Sequence, residues 1–202
     1  LKPFSEDWRI LCMETDGELL WIGTNRGLFK YNHTRQSLNR YRYSNHRPGM
    51  LSQAYITGVK LTSKGDVIVS TLNGLNVYNR DTDTFTYIRQ NNEMPDKSLN
   101  CNFINCLLTD NENIWVGTEI GGINLLTPNC LQTYVWQYHY LRETSLSPNP
   151  VNAISEDKDG NLWVGTVEGG LNKKSKGSDE FIHYTFDQNN PTSISNNSIR
   201  GI

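Results

Sequence analysis

Apolar residues along this chain come in short runs alternating with polar ones, each closed by Gly, Asn or Asp, and nowhere do they follow the 3.6-residue period of a helix. "DGELLWIGT", "KGDVIVST", "NENIWVGT" and "DGNLWVGT" each pass from a polar turn into an apolar segment suited to a pleated strand. A short loop ending in Gly and a second run follow each time, in "NRGLFKYN", "LNGLNVYN", "EIGGINLL" and "EGGLNKK". Gly supplies the positive φ that tight strand connections require, so each pair reads as a β-hairpin. Aromatic and β-branched segments farther on, "LNRYRY", "FTYIRQ", "VWQYHY" and "FIHYTF", add an outer strand. A first strand precedes each hairpin, in "WRILCME", "YITGVKL", "FINCLLT" and "PVNAISE".

The step before the Gly turn falls at Gly23-Thr24, Ser70-Thr71, Gly117-Thr118 and Gly165-Thr166, at intervals of 47, 47 and 48 residues. Four strands in each such period is the arithmetic of a β-propeller, one repeat folding as one blade. The expected fold class is therefore all-β: a β-propeller fragment of about four blades, each of four antiparallel strands. The blades are expected at roughly 7–44, 54–90, 102–141 and 149–187, with 197–202 starting the next. On this reading 1–202 is one partial propeller domain, an open arc from a larger propeller, and a first residue other than Met fits a segment of a longer chain.

Most of the repetition has a packing explanation. Trp21, Trp115 and Trp163, with Ile68 in blade two, share one column and are expected between neighbouring blades. Gly23, Gly117 and Gly165 mark close packing in the second strand, beside the repeated Thr24, Thr118 and Thr166, while Gly27, Gly74, Gly122 and Gly170 serve the hairpin turns. Cys106 is placed in an inner-strand column with Ile10, Gly58 and Ala153, where packing is its expected role.

The phrase "SLSPNPVNAISEDKDGNLWVGTVEGGLN" resembles the two-component regulator propeller repeat, common in sensor regions of hybrid two-component systems of Bacteroidetes. The markers are Asp159-Gly160, Leu162-Trp163-Val164-Gly165-Thr166, Gly169-Gly170-Leu171 and the linking phrase "NNPTSISNNSIRGI", and blade two departs from them with Val67-Ile68-Val69-Ser70. The resemblance implies the periplasmic sensor region of an inner-membrane hybrid histidine kinase. Such a region is expected to respond to oligosaccharides, to self-associate as a homodimer and to regulate polysaccharide-utilisation genes, with kinase and DNA-binding parts outside these residues. A secreted propeller enzyme, a lyase or hydrolase of polysaccharides or lactones, and a protein-interaction scaffold are the alternatives.

Composition narrows the remaining chemistry. With 36% apolar and 20% charged residues the chain reads as an ordinary folded protein, and a net charge of -2 argues against a nucleic-acid surface. No apolar stretch approaches the ~20 residues a membrane helix needs. Cys12, Cys101, Cys106 and Cys130 form no CxxC pair and are expected as free thiols; no metal and no cofactor is expected. Asp16, Asp110, Asp157 and Asp159 read as turn residues. His33, His46, His139 and His183 are scattered, and no catalytic residue is nominated.

Ligand contacts are expected on the face where hairpin tips meet blade-linking segments, because loops there vary on a rigid scaffold. Arg26, Arg47, Asn73, Glu119 and Glu168 are the candidates, with Tyr55 or Phe103 offering a flat apolar surface. In the outer strand of blade three Trp136 and Tyr138 share a face opposite Val135, Gln137 and His139, and Trp136 either marks an external contact or packs against blade four.

Overall fold

The computed structural model describes residues 7–127, 133–148 and 150–202. The first repeat forms β1 (Ile10–Asp16), β2 (Leu19–Thr24), β3 (Gly27–Asn32) and β4 (Ser37–Tyr41). The second forms β5 (Ile56–Leu61), β6 (Val67–Thr71), β7 (Gly74–Asn79) and β8 (Thr84–Ile88). The third contains β9 (Ile104–Asp110), β10 (Asn113–Thr118), β11 (Ile123–Leu126) and β12 (Thr133–Trp136). The fourth contains β13 (Val151–Glu156), β14 (Leu162–Thr166), β15 (Leu171–Lys174) and β16 (Phe181–Tyr184). Each repeat is its own four-stranded antiparallel meander. Inner strands stand side by side in the order β1, β5, β9, β13, so the blades make an open propeller arc. A single 3-10 turn, Pro95–Lys97, interrupts the linker before blade three, where proline's fixed φ suits the first position.

The repeated Gly-Thr and hairpin-Gly positions build one device. Gly27, Gly74, Gly122 and Gly170 all have positive φ, and a Cβ on Gly27 would lie 2.6 Å from the carbonyl oxygen of Tyr41 in the outer strand. The preceding Thr closes the turn. The Oγ1 of Thr24, Thr71, Thr118 and Thr166 donates to the carbonyl of that glycine at 2.7, 2.9, 2.9 and 3.1 Å. These four threonines are buried, so valine in their place would leave a buried carbonyl without that donor.

The core lies between blades. One cluster, including Trp21, Leu28, Ile56 and Val69, joins blades one and two; a second, including Ile68, Leu75, Ile104 and Val116, joins two and three; a third, including Ile123, Val151 and Val164, joins three and four. Trp21 is fully buried and Ile68 nearly so, whereas Trp115 is half-buried against Trp136. Trp163 is half-buried on the outward face of blade four, beside Tyr184. On the opposite flank Ile10 and Met13 are more than half exposed, at 52% and 58%. Polar ties reinforce the stacking at the same boundaries: Lys60 with Glu14 at 2.9 Å, Arg80 with Asp16 at 2.7 Å, and Lys64 with Glu112 at 2.7 Å.

The inner-strand column needs one correction. Register shifts near the start of β1, β5, β9 and β13 put Cys12, Gly58, Cys106 and Ala153 opposite Gly23, Ser70, Gly117 and Gly165. Ile10 pairs with Thr24 and so belongs with Ile56, Ile104 and Val151, because the irregularity uses up one residue in each blade. Residues 197–202 form no strand. Ile199 nevertheless donates its N–H to the Thr166 carbonyl at 2.9 Å, and its Cγ2 would lie 2.5 Å from a Cβ on Gly165.

Candidate functional site

Antiparallel meanders bring the β2–β3 type hairpin tips and the blade linkers to one edge of the arc. The tips are tied to the entry of their own inner strands: Asn25 N–H to Arg9 O at 3.2 Å, Glu119 N–H to Phe103 O at 3.0 Å and Val167 N–H to Pro150 O at 3.0 Å. This edge holds the candidate ligand residues: Arg26, Asn73, Glu119 and Glu168, one on each blade's tip, and Arg47 in the linker between blades one and two.

The linkers are more regular than their varied sequences imply. Leu51, Leu99 and Leu146 are buried anchors, at 0%, 1% and 1% exposure, each five residues before the first residue of the next inner strand. The residue after each anchor is capped by a fully buried Asn on the third strand. Ser52 N–H donates to Asn76 Oδ1 at 2.7 Å, Asn100 N–H to Asn124 Oδ1 at 3.0 Å, and Ser147 N–H to Asn172 Oδ1 at 3.1 Å. Before the anchor a serine closes the loop. Ser98 Oγ bridges the N–H and C=O of Asn91, Ser145 that of His139, and Ser193 that of Asp187. The signals were present in the sequence as "KSLN", "TSLS" and "TSIS" and as the Asn of "GLNVYN", "INLL" and "LNKK". Blade one has Phe29 where the others have Asn, and that ring packs on Trp8, centroids 5.2 Å apart.

Between these pins the linkers bulge outward and leave concave surfaces. The linker from blade one to blade two encloses a cavity of about 390 Å³ with the tip of blade two. Arg47 and Asn73 both line it, joined by His46, Tyr43, Tyr87 and Arg89. Asn73 is held in place, its Nδ2 donating to Ser52 O at 3.2 Å and its N–H to Thr71 Oγ1 at 3.0 Å. Arg89 is held as well: its Nε donates to Asn73 O at 3.2 Å and its guanidinium lies 4.8 Å from the Tyr87 ring centre. Tyr87 in turn donates to the Met50 carbonyl.

The other three candidates lie apart from this cavity. Glu119 borders a separate hollow of about 310 Å³ with Ile120, Tyr138 and Pro148, its carboxylate accepting from Asn105 Nδ2 at 2.9 Å. Arg26 faces solvent in a loose ion pair with Asp7 at 3.8 Å. Glu168, at φ +63°, donates its N–H to Ser198 Oγ at 3.3 Å. Tyr55 and Phe103 are exposed and line neither hollow. Trp136 turns toward blade four, its Nε1 donating to Asp179 Oδ1 at 3.0 Å and its ring 4.8 Å from Lys174 Nζ. Tyr138 stays 52% exposed.

Among the described residues no group of three or more His, Cys, Asp or Glu is placed to hold a metal, and Cys12, Cys101 and Cys106 are free; Cys130 lies outside them. Burial pushes the Cys12 thiol up to about 11 and Cys106 to about 12, which keeps both protonated and unreactive at neutral pH. Asp157 is held well below the usual carboxylate range by hydrogen bonds from Asn161, Trp163 and backbone N–H groups, which makes it a turn residue. His183 contacts the Ser145 carbonyl at 2.8 Å, and His139 Nδ1 accepts from Leu141 N–H, so both serve the linker before blade four. No helix among the described residues is long and apolar enough to cross a membrane.

Residues 98–119 and 145–168 match the two-component regulator propeller model. Over 98% of its length the chain superposes with a TM-score of 0.78 and 26% identity on the extracellular domain described as that of hybrid two-component system BT4673 from B. thetaiotaomicron, also described as a one-component system. The extracellular domain of the B. thetaiotaomicron system BT3049 is similar over 90% of the chain at 24% identity, TM-score 0.73. The chain spans 25% of the length of each. Virginiamycin B lyase from Staphylococcus aureus shares the fold alone, at 12% identity over 90% of this chain and 60% of the lyase, TM-score 0.61. No curated protein matches.

Proposed function

We propose that this chain is part of the extracytoplasmic ligand-recognition propeller of a hybrid two-component signalling protein. The observation that carries the reading is the similarity to a B. thetaiotaomicron sensor ectodomain along nearly the whole chain, 98% of it at 26% identity. The intact sensor is anchored in the inner membrane with this region in the periplasm, responds to oligosaccharides as a homodimer and regulates polysaccharide-utilisation genes. A signal requires the ligand to bind two arrangements of the receptor with different affinity, so the contacts must lie where blades or subunits can shift. The linkers lie at the junctions between successive blades, where a bound ligand can bias the arrangement of one blade against the next.

Calorimetric titration of the intact extracytoplasmic region against plant and host oligosaccharides of several lengths tests this. Binding to one glycan class without turnover supports the sensor. Cleavage of a bound glycan would instead establish the enzyme alternative, and no heat from a folded region would leave a protein-contact module.

A further inference from the structure

The cavity beside blade two is unusual in its charge. Between Glu18 and Asp66 the chain carries eight Lys or Arg and no Asp or Glu, although its net charge is -2. Several of those cations are neutralised at blade boundaries or at a tip. Lys30 pairs with Asp83 at 3.0 Å, Lys60 with Glu14, Lys64 with Glu112, and Arg26 loosely with Asp7. The cations at the cavity are different. Arg47 and Arg89 have no carboxylate within ion-pair distance among the described residues, and no acidic side chain lines the space they share with His46. Arg40, nearby in the outer strand of blade one, is held below its ordinary value by partial burial and by the like charges of Arg42 and Arg26.

Uncompensated guanidinium groups in a concave, half-open space are suited to an anion. Arg89 is already oriented, since its ring contact and its Nε bond fix the plane of the guanidinium while its terminal nitrogens remain available for a bidentate pair. Tyr43 and Tyr87 add flat apolar surfaces, and the Asn73 side-chain amide adds a neutral hydrogen-bonding group of the kind that hydroxyls require. At about 390 Å³ the cavity falls in the range of small-ligand sites. We propose that this cavity binds the carboxylate-bearing sugar of an acidic oligosaccharide, with Arg47 and Arg89 pairing the carboxylate and the tyrosines flanking the ring. The inference rests on the sensor reading and narrows its ligand class.

The test is titration of the intact sensor region with tetragalacturonate and with the neutral galactotetraose of equal length, repeated for Arg47→Ala, Arg47→Lys and Arg89→Lys. Arg47 is exposed and makes no ion pair, so its variants should unfold at the wild-type temperature. The expected result is binding of the acidic tetramer alone, weakened about tenfold or more by Arg47→Ala and less by Arg47→Lys. Arg89→Lys keeps the charge but loses the fork, and should weaken binding several-fold. Raising salt should weaken the acidic tetramer further. Equal or preferential binding of the neutral tetramer would overturn the acidic class and leave the sensor reading standing. Tight acidic binding indifferent to all three variants would place the site elsewhere. Silence toward both tetramers overturns this inference, and the sensor reading falls with it only if the wider glycan panel is also silent.

Discussion

Gly117 on β10 faces Cys106 on β9, as Gly23 faces Cys12 and Gly165 faces Ala153, but in blade two the order is inverted and Ser70 faces Gly58. Each pair keeps one glycine, so the volume at the crossing is shared between two strands. A Cβ on Gly117 would lie 2.5 Å from Cys106 Sγ and 2.6 Å from Val151 Cγ1. Gly117→Ser therefore overpacks the boundary between blades three and four, at a cost of about 1–3 kcal/mol. Cys106→Gly leaves a void and adds a flexible residue to a strand, costing about 1–3 kcal/mol. Independent effects would add to about 2–6 kcal/mol in the double variant. The pair Gly117→Ser with Cys106→Gly instead recreates the blade-two arrangement, in which Ser70 Oγ lies 2.9 Å from where a Gly58 Cβ would stand. The double variant should recover about 1–3 kcal/mol of the summed loss. Urea unfolding of the wild type, both single variants and the double measures this coupling from midpoints at constant m. Additivity within about 0.5 kcal/mol would refute the shared-volume account.

Asn124→Ala should leave the Asn100 N–H without its acceptor, destabilise by about 1–3 kcal/mol, and make that amide exchange rapidly with deuterium while β10 stays protected. Leu99→Ala should cost about 2–5 kcal/mol, whereas Ile194→Ala at the equivalent but half-buried place should cost under about 1 kcal/mol in this chain, read from the same unfolding curves. The Lys30–Asp83 tie predicts a pH signature. Partial burial would raise the Asp83 carboxyl, but hydrogen bonds from Tyr41, Tyr78 and Lys30 prevail and lower it from 3.8. Its contribution is thus present above that value and lost as pH falls through the lower folded value; the Lys30 contribution, raised from 10.5 against burial by Tyr78 and Asp83, is complete below 10.5 and lost as pH rises beyond it. The stability gap between wild type and Asp83→Asn should stay level from pH 5 to pH 9 and shrink below about pH 4; an unchanged gap at pH 3 would contradict the network.

What the chain settles by itself is local and periodic. Strand alternation, the Gly that turns each hairpin and the 47- to 48-residue interval are properties of neighbouring residues, so four meanders follow from them without reference to anything distant. The Asn and Ser that pin the linkers were legible on the same grounds, as repeated letters at fixed offsets, but their role was not, since Asn76 serves Ser52 from 24 residues away. Only the packed arc decided which partner shares volume with Gly117, because Val151 and Cys106 reach it from different blades. It also decided which candidates meet: Arg47 and Asn73 share a cavity while Arg26, Glu119 and Glu168 stand on separate tips. Periodicity specifies the face on which a side chain emerges, whereas the stacking of one rigid sheet on the next sets the distance between side chains of different blades.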